Sequence, residues 1–167
     1  MGIYNKLNNN NKHKIMFVCH GNICRSPMAE FIMKDLVAKA HLSDELYIES
    51  SATSREEIGN PIYQPAAYTL SQHGISSKGH SARQFTIEDY NNFDLVVVME
   101  DYNLRNMLRI IACDCDKKVW KLLDFAAEEP LRTMGDDISD PWYHGNFDKT
   151  YKEILTGCKA LMKFLGY

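Results

Sequence analysis

The chain has 167 residues, of which 45% are hydrophobic and 25% charged, enough apolar material for the core of one domain of ordinary size. Its formal net charge of −3 gives a nucleic-acid partner no electrostatic support, and no run approaches the roughly 18 apolar residues of a membrane span, so neither nucleic acid nor membrane is an expected partner. Five cysteines, an odd count, without an apolar targeting run argue against a secreted disulfide scaffold and for a reducing, cytoplasmic compartment.

Residues 1–13 stand apart: Asn5 and Asn8 to Asn11, with few apolar neighbours, cannot bury enough surface to order themselves, and the segment reads as a flexible tail before a single domain over 14–167. Lys14 to Val18 reads as a short buried strand, and Ser26-Pro27 as a helix start with serine as the cap. Phe31, Ile32, Leu36 and Val37 give that helix an apolar stripe, and Leu46 to Ser50 is a second strand. Pro65 to His73 predicts a helix capped by Gly74, and Thr86 to Asp89 opens a short helix in capping-box style. Leu95 to Met99 is a continuous apolar run, the pattern of a strand covered on both faces. Tyr102 to Ala112 reads as a helix and Lys118 to Leu122 as a fourth strand; Ile154, Leu155, Cys158, Leu161, Met162 and Leu165 recur as one face of a closing helix. Strands alternating with helices, with no repeat or composition break, predict one α/β domain with a parallel sheet whose ligands sit at the carboxyl ends of its strands.

Cys19-His20-Gly21-Asn22-Ile23-Cys24-Arg25 occupies the turn between the first strand and the first helix. Free amides and the positive end of the dipole at a helix start favour an anion and favour the thiolate of Cys19, which makes this cysteine a candidate nucleophile for phosphoryl transfer. Gly21 and Asn22 tolerate the positive φ that a loop needs when several amides must face one phosphate. Arg25 adds a planar fork of donors able to hold two phosphoryl oxygens and to stabilise charge in the transition state. A leaving phenolate also needs an acid, and residue types alone leave Asp136, Asp137, Asp140 and Asp148 open.

Cys19 to Glu30 (CHGNICRSPMAE) resembles the signature of the low molecular weight protein tyrosine phosphatases. Four further segments fall in that family's order: Ser51 to Ser54 with Ile58 to Pro61, Gly79 to Gln84, Met99 to Asn103, and Asp140 to Tyr143. The resemblance spans about Lys14 to Leu165 and implies a three-layer fold, a four-stranded parallel sheet in the order 2-1-3-4 flanked by helices on both faces. It implies hydrolysis of phosphotyrosine in two steps through a phosphocysteine, without metal or cofactor. The substrate would be a phosphotyrosine-containing protein or a small aryl phosphate, with phosphate and other oxyanions as inhibitors.

The resemblance selects Asp140 as the acid, followed by a proline that holds it extended. The catalytic set is then Cys19, Arg25 and Asp140, and the phosphate-binding loop is His20, Gly21, Asn22, Ile23, Cys24 and Arg25. It implies that Asn22 holds the loop's shape with Ser50 and His80 as partners, that Ser26 donates to the Cys19 thiolate, and that Trp142 and Tyr143 wall the substrate pocket. Asn103 reads as structural. Glu56 stands where relatives often carry an aromatic wall, so the cleft is expected to be more open and more acidic. Glu100 follows Met99 where aspartate is usual, and Trp142 stands where tyrosine is commoner.

Rival readings differ in their residues. An arsenate reductase of this type needs two further relay cysteines in a mobile segment, and 84–100 holds none. A protein arginine phosphatase carries threonine where this chain has Ile23, whose bulk favours phosphotyrosine. A redox-sensing phosphate-binding module is compatible with Cys19 and Cys24, two thiols close enough to pair if the loop allows it.

Overall fold

The computed structural model describes residues 12–127 and 136–167, so Met1 to Asn11 of the expected tail lie outside the described residues. The elements in chain order are β1 (His13–Cys19), α1 (Arg25–Lys39), β2 (Leu46–Ala52), α2 (Gln64–Gln72), α3 (Ile87–Asn92), β3 (Leu95–Val98), α4 (Asp101–Ile111), β4 (Val119–Lys121), α5 (Pro141–His144) and α6 (Phe147–Phe164). A 3₁₀ turn, Leu122–Ala126, follows β4.

The four strands form one parallel sheet in the order β2-β1-β3-β4, as the resemblance implies. Alternation along β1 builds the three layers, because successive strand side chains point to opposite faces. Ile15, Phe17 and Cys19 join the larger core with Ile32 and Met33 of α1, Leu70 of α2 and Ile154, Cys158 and Leu161 of α6. Met16 and Val18 join the smaller core with Tyr90 of α3 and Met107 and Ile111 of α4. Leu95 to Val98 is buried throughout, which matches its unbroken apolar sequence. Gly157 lets α6 close on the sheet side: a Cβ there would stand 2.5 Å from Leu122 Cγ. Among the described residues no helix is long and apolar enough to cross a membrane.

Three expectations are corrected. His13, placed in the tail by composition, is the first residue of β1, its amide bonded to the Glu45 carbonyl at 2.8 Å. Ser26 does not cap α1; the helix begins at Arg25, its flanking residue is Cys24 with no side-chain cap, and the Ser26 hydroxyl is drawn to the loop instead. Cys113 and Cys115, just beyond α4, are joined as a disulfide that the odd cysteine count did not anticipate. The other helix signals are found as read: Thr86 caps α3 with its capping box, and Gly74 follows α2 with φ +74°. The helix α5 and the 3₁₀ turn carry too few residues to show a period and were not expected.

Candidate active site

Cys19 ends β1 and is 3% exposed. Its Sγ lies 3.0 Å from Ser26 Oγ and accepts from the Asn22 amide at 3.3 Å. Around it the loop carbonyls turn backward: those of Cys19, His20, Ile23 and Cys24 accept from the amides of Thr53, Ser54, Tyr63 and Met28, at 2.8 to 3.1 Å. Since C=O and the following N–H point opposite ways across a planar trans peptide, the amides of Gly21, Cys24 and Arg25 are turned toward the cleft. That is an anion cradle.

Asn22 holds the turn. It is fully buried at φ +59°, a conformation that asparagine tolerates better than most residues. Each of its polar groups has a partner: Nδ2 donates to Ser26 Oγ and Ser50 Oγ, both at 2.9 Å, Oδ1 accepts from the Arg83 amide at 3.2 Å, and the carbonyl meets His80 Nε2 at 2.7 Å. Ser50 in turn donates to the buried Glu30 carboxylate. The Ser26 hydroxyl has one proton and two acceptors in reach, Cys19 Sγ and the Ser51 carbonyl at 3.2 Å.

Arg25 is 2% exposed, and its guanidinium donates to Asp140 Oδ2 at 2.9 Å, Glu100 Oε1 at 3.0 Å and the Ile138 carbonyl at 3.2 Å. Burial opposes its charge, but the Glu100 hydrogen bond and the Cys19 and Asp140 charges outweigh burial and hold it above its ordinary value. Asp140 caps α5, its Oδ1 accepting from the Trp142 amide at 3.1 Å. The segment before it is fixed residue by residue. Asp137 Oδ1 accepts from Lys121 Nζ at 3.0 Å, Ile138 N donates to the Met99 carbonyl at 2.8 Å, and Ser139 gives both its amide (3.0 Å) and its hydroxyl (2.8 Å) to buried Glu153.

Cys19, His20, Gly21, Ile23, Cys24, Arg25, Glu56, Asp140, Trp142 and Tyr143 line one cleft of about 190 Å³. Asn22, Ser26, Ser50 and His80 are not lining residues and bond the loop from behind. Trp142 and Tyr143 are exposed and Trp142 packs on Tyr63 with centroids 5.1 Å apart, so they form a rim and not core. Glu56 Oε2 sits 3.0 Å from His20 Nε2, and Glu57 also lines the cleft. Burial, with the Cys19 and Asp140 charges, pushes the Cys24 thiol up and keeps it protonated; it is a free thiol, as is Cys19. A larger groove of about 630 Å³ along β2 is lined by Glu30, Ser50, His80 and Arg83 among others, so it meets the residues that bond the loop from behind and none of Cys19, Arg25 and Asp140.

Sequence reasoning missed Glu30, Glu57, Tyr63, Arg83 and Glu153. Glu153 stands four residues after Lys149 and reads as half of a surface ion pair, so nothing local announces its buried role. Asn103 is structural, its Oδ1 accepting from the Met99 amide at 3.2 Å.

Comparison with known proteins agrees with this geometry. The family model for low molecular weight phosphotyrosine protein phosphatase matches residues 14–166. The Bacillus subtilis low molecular weight protein-tyrosine-phosphatase YfkJ is 36% identical over 148 residues, 89% of this chain and 92% of that one. Its crystal structure gives a TM-score of 0.87 at 34% identity over 93% of this chain and 95% of that one. The rat low molecular weight phosphotyrosine protein phosphatase is 37% identical over 153 residues, 89% of this chain and 93% of that one. A solved Drosophila arginine phosphatase is also similar, with a TM-score of 0.79 and 29% identity over 90% of this chain and 96% of that one.

Proposed function

The chain belongs to the low molecular weight phosphotyrosine protein phosphatase family, which hydrolyses phosphotyrosine through a phosphocysteine, and we propose that Cys19, Arg25 and Asp140 carry that reaction here. The observation that carries the assignment is the convergence of the Cys19 sulfur, inward-turned loop amides and the Arg25–Asp140 pair on one small cleft.

In the first step the Cys19 thiolate attacks phosphorus and the aryl oxygen leaves, taking a proton from Asp140. The phosphoryl oxygens settle on the amides of 20–25 and on Arg25, whose Nη2 exchanges its Asp140 contact for the substrate and so releases the acid for its task. In the second step Asp140 takes a proton from water as that water attacks phosphorus, and the Cys19–phosphorus bond breaks. Ser26 then turns its one proton from the Ser51 carbonyl to the departing sulfur. Asn22, Ser50 and His80 hold the loop throughout, while Glu56, Trp142 and Tyr143 meet the substrate around the phosphorylated ring.

The substrate is read as a phosphotyrosine-containing protein or small aryl phosphate in the cytoplasm, with phosphate and vanadate as inhibitors. Ile23, bulky in the loop, supports tyrosine over arginine. Peptides bearing phosphotyrosine, phosphoarginine and phosphoserine, assayed side by side, test this: phosphotyrosine is expected to turn over fastest, and faster arginine hydrolysis overturns it. Cys19 and Cys24 are further read as a reversible redox pair, in which Cys24 attacks a sulfenic Cys19 and expels water. Mass mapping after mild peroxide is expected to find them joined; Cys24 still free would end that reading.

A further inference from the structure

Two of the five cysteines lie far from the chemistry. The strands are parallel and Val119 is level with Met16, both being paired with Val96, so Cys113 and Cys115 lie before the amino end of β4 while Cys19 lies at the carboxyl end of β1. The two cysteines are bridged and both are exposed. The residue between them organises the corner: the Asp114 carboxylate accepts from the Tyr90 hydroxyl at 2.8 Å and from the amides of Lys118 (3.0 Å) and Val119 (3.1 Å), the latter being the first residue of β4. The turn also closes on itself, Lys117 N donating to the Asp114 carbonyl at 3.1 Å. Asp114 is therefore seated by the fold and not by the bridge, and its two neighbours are presented together at the surface.

A bridge spanning one intervening residue restrains the unfolded chain least of all, so stapling does not account for it. An exposed bridge, in contrast, is open to attack by a thiolate and belongs with the labile, exchangeable kind. We infer that Cys113 and Cys115 form a second thiol–disulfide exchange site, separate from the catalytic loop, whose reactant is a small thiol such as glutathione or the dithiol of a reductase. In the first step a thiolate attacks one bridge sulfur, the Cys113–Cys115 bond breaks, and the other sulfur leaves as thiolate and takes a proton. A second thiolate then attacks the reactant's sulfur in the mixed disulfide and frees the second cysteine. The bridge gains two electrons and two protons, and two thiols become one external disulfide. In a reducing compartment the pair rests as a dithiol, and it closes when the glutathione pool is oxidised.

The intact protein, equilibrated in glutathione buffers of graded poise, quenched in acid and alkylated in two isotopic steps, is read by peptide mass. Cys113 and Cys115 are expected to pass together from alkylated to bridged as the poise becomes oxidising, while Cys158, fully buried, stays unlabelled until the protein is denatured. Cys115→Ser should instead hold one glutathione on Cys113 under the oxidising buffers, while its phosphotyrosine hydrolysis, assayed in reducing buffer, equals that of the unsubstituted chain. Amide exchange at Lys118 and Val119, slow in both states because Asp114 is seated by the fold, reports that the corner stays folded. The inference is overturned if the two cysteines remain alkylatable at every poise, or if the bridge resists reduced glutathione until the protein unfolds.

Discussion

The back of the phosphate loop and the mouth of its cleft are built to different standards. Behind the loop, Asn22 and Ser26 are fully buried and every polar group of Asn22 has a partner. At the mouth, Tyr143 is 86% exposed and the Glu56–His20 contact lies in solvent. An over-determined back fixes the sulfur and the amides in place before substrate arrives, which is what electrostatic preorganisation requires. A loosely bonded mouth contributes little to the barrier and is free to set which phosphoprotein enters.

Substitutions should therefore lose effect in passing from the back to the mouth. Cys19→Ser is expected to lower turnover by roughly 10⁴-fold or more while vanadate still binds, because the amides and Arg25 remain and only the nucleophile is gone. Titration of vanadate against the variant, beside its steady-state rate, checks both halves. Asp140→Ala should cost roughly 10²- to 10³-fold with aryl phosphates whose leaving groups are poor, and far less in the first step with activated ones, since only the former need the proton. A series of substituted aryl phosphates reads the difference as a steeper dependence on leaving-group pKa. Equal losses across the series would remove Asp140 from the acid role.

Glu153 sharpens the contrast, because it belongs to the rigid part although it never touches the cleft. Glu153→Leu leaves the part-buried Ser139 amide and hydroxyl without their acceptor, which should cost about 1 kcal/mol of stability, since water can reach these donors in part. If Ser139 places Asp140, the variant also loses roughly tenfold in kcat on poor leaving groups with little change in KM, and Glu153→Gln recovers most of it. Loss of stability with an unchanged leaving-group dependence would leave Glu153 a purely structural residue. The smallest effect belongs to the mouth. Glu56→Trp should lower KM for simple aryl phosphates and weaken any preference for basic residues flanking the phosphotyrosine, within the roughly 0.2 to 1 kcal/mol of an exposed charge interaction, and less at high salt. An unchanged KM and an unchanged peptide preference at low salt would mean that Glu56 never meets substrate.

What was legible in the sequence follows the same division. Short apolar runs, period-3.6 stripes and turn residues located every strand and most helices, because those signals are local. The loop was legible for the same reason: Cys19, Asn22 and Arg25 lie within one turn, and a short run of residues states their chemistry. Ser26 was read as a helix cap, the commonest use of a serine beside a helix start, and tertiary contacts to Cys19 and Ser51 overrode that local preference. Glu30, Arg83 and Glu153 were not legible as parts of the site. Each acts across a long sequence separation on a residue that is itself behind the chemistry, and a carboxylate on a helix looks the same in sequence whether it faces water or a serine. The Cys113–Cys115 bridge was hidden by counting, since an odd total argues only against a disulfide scaffold and the pair that the loop suggested was Cys19 with Cys24.

The central claim is that Cys19 carries the phosphoryl group between the two steps. Asp140→Ala treated with p-nitrophenyl phosphate, quenched in acid within milliseconds and digested, should yield the peptide containing Cys19 with one phosphate on sulfur, because the activated first step proceeds while the second lacks its base. Phosphate found on another residue, or a burst of nitrophenolate with no phosphorylated peptide at all, would contradict the account.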